Sequence, residues 1–481
     1  MDNDTINEKS EQMALDLFRT MATRVPAYKN LLDKHGIEHE KIRTYDDFVK
    51  YVPITDKDNY VGQYPLKDLC LDGDIFNNDI ISVSSGSTGA PTFWPRGISQ
   101  DIDDSEMVAR IYDTLKMNEK KTLLVLCFSM GTWIAGTLLM ESSINYARRG
   151  NPVSVLTPGV EKINAIDLIK RLGSSYDQIV LGGYPPFAKD IIDEGTLAGI
   201  DWSKTKTKLL MGGESFSEEW RDYTLELVGS ANPYFDSINI FGAADIGVVG
   251  YETPLSILVR RAYNEHSVDA RRLFGTEILP SIVQFDPLKR HFEKVDEELV
   301  VTSNSGIPLV RYNLKDTGGV VTHEEMIRPL RDYVAKSADE NDVDIQKWNQ
   351  PFLYLNGRKN FAVTVYGVNI YPENIKAALI MPAARTIASG KFTMGTTNDS
   401  KMDQSFEVNI ELAKGVLPSD EKQLAIETAI YDTVPALNSE FRKLHEAVGD
   451  KVRPKIRLIE YGNPNYFARG VKHRWAKKEQ E

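Results

Sequence analysis

The feature that most constrains the fold of this chain is an alternation of short apolar runs with longer amphipathic segments between residues 80 and 241. Strands that alternate with helices form parallel or mixed sheets, because each connecting helix crosses a face of the sheet to reach the next strand. We therefore predict an α/β fold with a large N-terminal domain, in which helices cover both faces of parallel or mixed sheets. The predicted strands span 80–83, 123–128, 153–156, 178–181, 208–211 and 237–241, and the predicted helices lie near 99–117, 132–148, 161–172, 186–194 and 217–228.

The sequence on either side of this region follows other patterns. After residue 285 the strand-like runs 298–302, 309–312 and 319–322 come closer together, as in a β-subdomain. Residues 322–350 are dense in charges of both signs, which predicts an exposed helical insertion or a long loop. Near the N-terminus, five apolar residues recur at helical spacing and predict an opening amphipathic helix: Met13, Leu17, Phe18, Met21 and Val25.

A new α+β unit begins near Gly357. Its predicted strands at 361–366, 387–394 and 406–412 surround predicted helices near 372–381, 419–433 and 436–447. We therefore expect two domains, an N-terminal domain over 1–357 and a small C-terminal α+β domain over 358–481.

The charge balance narrows the choice of partners. The 481 residues include 57 Lys and Arg against 69 Asp and Glu, which gives a net charge of −12. Nucleic acids and anionic membranes are bound by basic faces that displace counterions, so we expect neither as a partner. One small anionic ligand held by backbone amides is still compatible with this charge.

Three further features bear on the compartment. The two cysteines, Cys70 and Cys127, cannot form a disulfide framework. The N-terminus lacks the basic and apolar regions of a secretory signal. Serine, glycine and threonine interrupt the uncharged run 122–140, which therefore reads as a strand, a turn and a helix rather than a membrane span. We expect a cytoplasmic protein.

A loop of small residues follows the first predicted strand. Residues 82–92 read SVSSGSTGAPT. Small residues let the backbone fold around an anion with several N–H groups pointing inward, and the hydroxyl groups add donors. No lysine follows the last glycine, so this is not a Walker loop. From these residues alone, both a phosphate-binding loop and a flexible Ser/Gly turn remain open.

This loop resembles the phosphate-binding loop of acyl-adenylate-forming enzymes. The threonine at its end, Thr92, is similar to the loop of the phenylacetate–CoA ligase and coenzyme F390 synthetase branch of that superfamily. Each further motif is of moderate specificity, but together they follow the order of the family along nearly the whole chain. They are VPAY at 25–28, DDF at 46–48, VPITDK at 52–57, MGGE at 211–214, FGAADIG at 241–247, PLVRYNLKD at 308–316, GR at 357–358 and GVNIYP at 367–372.

The resemblance implies a ligase that uses ATP, Mg²⁺ and coenzyme A. It would convert a carboxylic acid to an acyl-adenylate with release of pyrophosphate, and then to a CoA thioester. Asp245 would hold Mg²⁺ against the α-phosphate, although the family usually has Glu there and a helix N-cap is the alternative for this residue. The β- and γ-phosphates would be held by Ser84, Ser85, Gly86, Ser87, Thr88 and Gly89.

The resemblance also implies where the nucleoside binds. Phe241 would stack on adenine, Asp316 would accept hydrogen bonds from the ribose hydroxyls, and Arg358 would add a donor. A core aromatic, a turn residue and a surface arginine are the respective alternatives. Gly213, Glu214 and Ser215 would lie on the opposite side of adenine, with a tight turn as the alternative for Gly213. Gly242 and Ala243 would contribute to the ATP site and are also candidates for the acyl pocket.

The acyl pocket would lie among the strand ends. Its candidates are Gly131, Trp133, Gly183 and Tyr184, and plain core packing is the alternative. The aromatic residues favour an aryl acid or a medium-sized apolar acid.

The resemblance implies a mobile C-terminal domain that rotates between an adenylating and a thioester-forming pose. Lys359 and Asn360 would form its hinge. Gly367 and Asn369 would line a channel for the pantetheine arm of CoA, or form a hairpin turn. The family carries a lysine after a glycine near its C-terminus. Direct alignment puts valine there, so Lys472 fills the role only with a slip of one residue.

Two other functions compete with this one. The adenylate could pass to an amine or to a carrier-protein thiol instead of CoA. Alternatively, the departures at Asp245 and in the tail could mark a nucleotide-binding protein with reduced catalysis. A homodimer is expected only by analogy.

Overall fold

Residues 122–358 form an eleven-stranded mixed sheet with the order β10–β11–β12–β13–β9–β8–β7–β6–β5–β3–β4. The structure is a computed structural model that describes residues 3–84, 92–275, 279–358, 362–463 and 466–467. Its strands are β1 (Ile80–Ser84), β2 (Thr92–Arg96), β3 (Thr122–Cys127), β4 (Val153–Leu156), β5 (Gln178–Gly183), β6 (Lys208–Gly212), β7 (Ser237–Ala243), β8 (Gly247–Tyr251), β9 (Ser281–Gln284), β10 (Arg290–Val295), β11 (Glu298–Ser303), β12 (Leu309–Val321), β13 (Phe352–Arg358), β14 (Val363–Val365), β15 (Val368–Ile370), β16 (Ala388–Asn398), β17 (Gln404–Leu412) and β18 (Lys455–Ile459).

Helices cover this sheet and form most of the N-terminal segment. They are α1 (Asn3–Arg24), α2 (Pro26–Lys34), α3 (Tyr45–Tyr51), α4 (Leu66–Leu69), α5 (Ile98–Thr114), α6 (Ile134–Arg148), α7 (Lys162–Leu172), α8 (Pro185–Leu197), α9 (Glu218–Leu227), α10 (Pro254–Glu265), α11 (Ser267–Phe274), α12 (His323–Ile327), α13 (Arg331–Glu340), α14 (Pro372–Leu379), α15 (Asp420–Leu437) and α16 (Ser439–Val448).

The predicted strand–helix alternation between residues 122 and 243 is confirmed. β4, β3, β5, β6 and β7 are parallel neighbours, and every residue of β3 and β5 is buried. Continuous burial is what a strand with helices on both faces requires, and it explains why these segments are apolar throughout. The carboxyl ends of β3, β5, β6 and β7 therefore meet at one edge of the sheet, where α/β proteins bind their ligands.

Two strand predictions differ from the structure. The run at 80–83 was expected among the strands of the main sheet, but β1 pairs only with β2 in a separate two-stranded hairpin. The runs 309–312 and 319–322 belong to one strand, β12, because the polar residues between them keep extended pairing across irregularities in register. The β-subdomain continues the main sheet, and a single residue pair, Tyr251 with Gln284, joins β8 to β9.

The N-terminal helices pack on the antiparallel half of the sheet. Phe18 and Met21 of α1 are fully buried, and they share one hydrophobic cluster with Leu299 and Val301 of β11. The predicted opening helix is thus confirmed, and its apolar stripe covers a face of the sheet that would otherwise contact water.

The charged segment 322–350 is a packed insertion rather than a loop. It forms α12 and α13, and its Met326, Val334 and Trp348 are buried in one cluster with Leu258 and Val259 of α10. Its charges lie on the remaining surface. Because the segment is so rich in charge, its buried apolar residues, which recur at roughly helical spacing, were not recognised from the sequence.

The C-terminal residues form an α+β unit as predicted. β14 and β15 make a hairpin against which α16 packs, and β16, β17 and β18 make a three-stranded sheet packed by α14 and α15. The buried side chains of this unit and of the parallel half of the main sheet belong to one continuous hydrophobic cluster. In the described part of the chain, every helix is too short or too polar to cross a bilayer.

His291 of β10 lies in a closed hydrogen-bond chain that suits only its neutral form. The Ser10 hydroxyl donates to the Pro287 carbonyl (2.7 Å), so Nδ1 of His291 donates to Ser10 Oγ (2.9 Å) and Nε2 accepts from the Tyr45 hydroxyl (2.7 Å). Burial, with a smaller contribution from the nearby Arg311 charge, lowers the pKa of His291 to about 4.

We predict that this histidine makes folding stability depend on pH. Between pH 6.5 and 4 the unfolded chain binds a proton that the folded chain refuses, so stability present above pH 6.5 is lost as the pH falls, at about 1.4 kcal/mol per pH unit. Urea unfolding of wild type and His291→Gln should show their difference in unfolding free energy falling by about 2 kcal/mol between pH 6.5 and 5. A difference that stays constant with pH would contradict this.

Candidate active site

The carboxyl ends of the parallel strands bring several predicted site residues to one place. Gly183 ends β5 and is followed by Tyr184, while Gly213 follows β6. The loop 129–133 follows β3 and carries Gly131 and Trp133 on the same edge of the sheet. The edge therefore collects residues that the sequence had separated by about 80 positions.

The β1–β2 hairpin holds both ends of the predicted phosphate loop. Ser84 pairs with Thr92 at the last described step of the hairpin, and Ser85, Gly86, Ser87, Thr88 and Gly89 lie outside the described residues. The Val83 N–H donates to the Thr132 carbonyl (2.9 Å), and the Trp94 indole N–H donates to Ser84 Oγ (2.9 Å). The hairpin is therefore tied to the loop that follows β3, and Ser84 lies at the edge where the parallel strands end.

Asp245 lies in the turn of a β-hairpin between β7 and β8. The Ile246 N–H donates to the Ala243 carbonyl (3.2 Å) and β8 begins at Gly247, so the helix N-cap considered for Asp245 is wrong. Asp245 Oδ2 accepts a hydrogen bond from the Tyr312 hydroxyl (2.6 Å). Burial, reinforced by this carboxylate, raises the pKa of Tyr312 far above its ordinary value, so its hydroxyl stays a donor.

A buried ion pair supports the turn from below. Asp104 of α5 is fully buried, and its Oδ1 accepts from Arg290 Nη2 (2.6 Å) and from the Val248 N–H (3.3 Å). Gly247 has φ +77°, and a Cβ there would overlap the Asp104 carboxylate. Only glycine fits this turn, which fixes the position of Asp245.

Lys57 brings a cation to the site, although it was not predicted as a site residue. Its segment runs beside β12: the Thr55 N–H donates to the Arg311 carbonyl (2.9 Å), and the Asn313 N–H donates to the Thr55 carbonyl (2.8 Å). This pairing places Lys57 Nζ 3.7 Å from Asp245 Oδ1 and 3.4 Å from Ser84 Oγ.

These contacts define the Lys57 cluster, which consists of Lys57, Ser84, Trp94, Asp245 and Tyr312. The ammonium group lies 5.3 Å from the centroid of the Trp94 ring, and the Trp94 and Tyr312 rings meet edge to face at 6.5 Å. A signal was present in the sequence, because VPITDK and PLVRYNLKD are two of the motifs that carry the resemblance, yet nothing in either motif shows that they pair.

The buried Arg311 holds the segment that leads to Thr55 and Lys57 against the sheet. Its Nη1 donates to the carbonyls of Val49 and Val52 (2.7 Å each), and its Nη2 pairs with Glu293 (2.9 Å). Burial raises the pKa of Glu293, while Arg311 works to lower it. Replacing Glu293 by an uncharged residue would leave the buried Arg311 guanidinium without a counter-charge, so both residues of the pair are needed.

A magnesium ion fits this site only as a partner of a bound nucleotide. Mg²⁺ typically keeps several waters and takes one or two carboxylates plus phosphate oxygens. Asp245 supplies one carboxylate, with Oδ2 bonded to Tyr312 and Oδ1 facing Lys57. Within the described residues there is no group of three or more His, Cys, Asp or Glu that would hold a metal by itself.

The predicted adenine-edge residues are held by a buried polar chain. Asn239 Nδ2 donates to the Glu214 carbonyl (3.1 Å), the Asn239 N–H donates to Glu252 Oε2 (2.9 Å), and Glu252 Oε1 accepts from Arg221 (2.7 Å). Arg221 also pairs with Glu218. Burial alone would raise the pKa of Glu218, but Arg221 and its neighbours outweigh this and lower it to about 2. This chain fixes Glu214 at the end of β6.

The other predicted nucleoside residues occupy two neighbouring regions. Phe241 is half-buried against the N-terminal core, with Gly242 exposed and Ala243 half-buried beside it, and Ser215 is exposed after β6. Asp316 of β12 is buried and lies opposite Arg358 of β13 in register, but the Arg358 side chain is outside the described residues.

The predicted acyl-pocket residues form an aromatic wall. The Phe128 and Tyr184 rings meet edge to face at 5.2 Å, and burial, with a contribution from Glu440, raises the pKa of Tyr184 to about 12. Trp133 is buried with an indole N–H that finds no partner in the described part of the chain. Gly131 has φ +81° in open space, whereas a Cβ on Gly183 would make ordinary contacts. The need for glycine at Gly131 is therefore conformational.

The β14–β15 hairpin of the C-terminal unit reaches into this edge. Tyr366 and Gly367 form its two-residue turn with φ +48° and +79°, and the Gly367 N–H donates to Glu214 Oε2 (3.1 Å). A Cβ on Gly367 would overlap the Tyr184 ring. The hairpin turn considered for Gly367 is therefore confirmed, and its place in a channel for coenzyme A stays a prediction. Asn369 is engaged within the hairpin, accepting from Thr364 Oγ1 (2.9 Å).

Ion pairs join α8 to the C-terminal unit. Lys189 Nζ pairs with Asp403 Oδ1 at 2.8 Å, and Lys451 pairs with Asp190. The Lys189 and Asp190 side chains are 2% and 1% exposed, whereas their partners Asp403 and Lys451 are 43% and 40% exposed, so only the α8 side of each pair is buried. The predicted hinge residues Lys359 and Asn360 and the tail residue Lys472 lie outside the described residues.

Comparison with known proteins identifies the fold. No protein-family model matches the chain, and no curated protein matches it. A solved structure of 2-hydroxyisobutyryl-CoA ligase with 2-HIB-AMP and CoA, in the thioesterification state, is similar with a TM-score of 0.66 at 16% identity, covering 99% of this chain and 90% of that one. The two chains share a fold.

Other states of the same ligase are less similar. Its postadenylation state with R3-HIB-AMP gives a TM-score of 0.57 at 15% identity, covering 100% of this chain and 91% of that one. Its open conformation with 2-HIB-AMP and CoA gives 0.56 at 14% identity, covering 98% and 91%. Both of these states have the same fold as this chain.

We predict that Gly367→Ala releases the hairpin turn from Tyr184, whereas Gly390→Ala does not. Both glycines have a left-handed backbone, which costs an alanine about 1 kcal/mol, but only the Cβ on residue 367 meets a ring. Hydrogen exchange followed by mass spectrometry should show peptides covering 183–188 and 363–370 exchanging about tenfold faster in Gly367→Ala alone. Equal protection in the two variants would contradict the close contact.

Proposed function

We propose that this protein is an AMP-forming acid–thiol ligase. It activates a carboxylic acid with ATP, releases pyrophosphate, and transfers the acyl group from the adenylate to coenzyme A. The observation that carries the proposal is the Lys57 cluster, which assembles a cation, two hydroxyl groups and one carboxylate beside the ends of the predicted phosphate loop. The shared fold with 2-hydroxyisobutyryl-CoA ligase supports it.

The first step brings two negative groups together. A carboxylate oxygen of the acid attacks the α-phosphorus of ATP, the bond to the bridging oxygen breaks, and pyrophosphate leaves with the electron pair. Lys57 is placed to offset this charge, and its ammonium group exchanges the 3.7 Å contact with Asp245 for phosphate oxygens when the nucleotide binds. Mg²⁺, when bound with the nucleotide, supplies further charge compensation, with Asp245 as its protein ligand.

The polar residues around Lys57 orient it. The Tyr312 hydroxyl holds Asp245 Oδ2, and the Trp94 indole holds Ser84 Oγ, so the carboxylate and the hydroxyl keep their positions while Lys57 moves. Preorganised groups of this kind lower the barrier because they do not reorganise during the reaction. This role of Lys57 does not depend on a tail lysine.

The second step uses the C-terminal domain, which we propose spans 358–481. The thiolate sulfur of coenzyme A, whose proton has passed to water, attacks the acyl carbonyl carbon, and AMP leaves with the electron pair of the broken acyl–phosphate bond. The Tyr366–Gly367 turn lies against Tyr184, next to the predicted acyl pocket, and this is where a pantetheine arm would arrive. The fold shared with a ligase whose solved structure contains CoA supports coenzyme A as acceptor.

We predict that pyrophosphate exchange into ATP depends on an acid and on Lys57. The acids to test are phenylacetate, benzoate, hexanoate and 2-hydroxyisobutyrate, since the wall of Phe128, Trp133 and Tyr184 is aromatic and apolar. With the best acid, Lys57→Met should lower the exchange rate about 100-fold, because it removes one preorganised charge from the transition state. Lys29→Met is the control, since Lys29 is an exposed lysine of α2.

Three results would separate the alternatives. Exchange in the wild type with an unchanged rate in Lys57→Met would remove Lys57 from the mechanism. AMP release that requires an amine or a carrier-protein thiol instead of coenzyme A would assign the other acceptor. Tight binding of ATP without exchange for any acid would contradict the ligase.

A further inference from the structure

Gln404 links the C-terminal unit to the end of β6. Its side-chain carbonyl accepts the Tyr366 N–H (2.9 Å), and its side-chain amide donates to Glu214 Oε1. Glu214 Oε2 accepts the Gly367 N–H (3.1 Å). Both main-chain N–H groups of the Tyr366–Gly367 turn therefore have a side-chain acceptor. Gln404 accepts from Tyr366, and Glu214 accepts from Gly367.

This turn needs outside support. Tyr366 is a non-glycine residue with φ +48°, a conformation that costs a bulky side chain roughly 1 kcal/mol or more. Its ring is buried, which together with the nearby Asp190 raises its pKa far above the ordinary value, so the hydroxyl remains a donor. The hydrogen bonds to Gln404 and Glu214 are what satisfy the turn at the domain boundary.

We propose that the pair Gln404–Glu214 positions the Tyr366–Gly367 turn for acyl transfer to the thiol and selects the domain arrangement seen here. The inference rests on the proposed function. Glu214 is fixed by the buried chain through Asn239 and Glu252, at the strand end where the nucleotide is expected. The Glu214 carboxylate thus ties the position of the C-terminal unit to the nucleotide-binding edge. Gln404 is the residue of the C-terminal unit whose side chain binds this carboxylate.

The chemistry of the pair fixes which side chain belongs at which position. Glu214 accepts two hydrogen bonds, and Gln404 must donate one and accept one. With Glu214→Gln alone, two amide groups meet as donors, and flipping Gln404 would leave the Tyr366 N–H facing a donor. Exchanging both residues, as Glu214→Gln with Gln404→Glu, restores every donor and acceptor and leaves the net charge unchanged.

The first measurement needs no substrate. Spin labels on cysteines replacing Glu226 of α9 and Glu421 of α15, both exposed, report the distance between the domains, since Cys70 and Cys127 are buried. The ligand-free wild-type background should show the distance of the present arrangement as its main population. Gln404→Met should lower that population about tenfold relative to other arrangements, because hydrogen bonds to a charged group are lost. Gln423→Met, an exposed glutamine of α15, is the matched control.

The second measurement separates the half-reactions. With the best acid, Gln404→Met should slow thioester formation from preformed adenylate about tenfold and leave pyrophosphate exchange at the wild-type rate. The exchanged pair should recover most of the thioester rate that Glu214→Gln loses, which a merely structural role would not produce. Melting temperatures within a few degrees of wild type establish folding.

Either measurement can overturn the proposal by itself. A distance distribution that is equal in Gln404→Met and Gln423→Met, or a wild type without the expected distance, would show that the pair does not select the arrangement. An exchanged pair no better than Glu214→Gln would refute the donor–acceptor logic. If no acid supports exchange but the distances shift as expected, the proposed function fails while the pair still selects the arrangement.

Discussion

The geometry of the site depends on a few backbone hydrogen bonds between the segment around Thr55 and strand β12. They align two segments separated by more than 250 positions and place Lys57 next to Asp245. The same β12 segment places the Tyr312 hydroxyl against Asp245. Arg311 secures the alignment from within the fold by bonding carbonyls of the α3 segment and Glu293. Backbone bonds set the register, and a shift by one residue would turn Lys57 away from the site.

An acidic chain can still present a local positive site in this way. The net charge of −12 is spread over the whole protein, but screening limits its reach to about 10 Å, whereas Lys57 lies within 4 Å of Ser84 and Asp245. Burying other charges as complete networks keeps them from disturbing the site. Arg221 and Arg260 neutralise Glu218 and Glu252 below β6 and β7, and Arg290 neutralises Asp104 below the Asp245 turn.

The parts of the fold that local pattern determines were predictable. β3 and β5 are apolar because both faces are covered, so their existence and order could be read from residues 123–128 and 178–181. Tertiary pairing was not predictable: the run at 80–83 looks like any sheet strand, and only the structure shows it in a hairpin with β2. The charges of 322–350 concealed a face that packs on α10.

The candidate site divides in the same manner. The small-residue loop, Asp245 and the Gly213–Glu214 pair are recognisable as motifs, but whether Asp245 capped a helix or sat in a hairpin turn depended on β8 pairing with β7. Lys57 and Gln404 escaped notice because their partners, Asp245 and Glu214, lie about 190 positions away in the sequence. Contacts of such separation leave no periodic signal.

The position of a bound triphosphate tests the central claim most directly. A crystal structure with a non-hydrolysable ATP analogue should show phosphate oxygens within hydrogen-bond distance of Lys57 Nζ and of main-chain amides between Ser84 and Gly89. Lys57 should have left Asp245, and the carboxylate should face the metal that accompanies the nucleotide. A triphosphate bound elsewhere, with Lys57 still facing Asp245, would contradict the account.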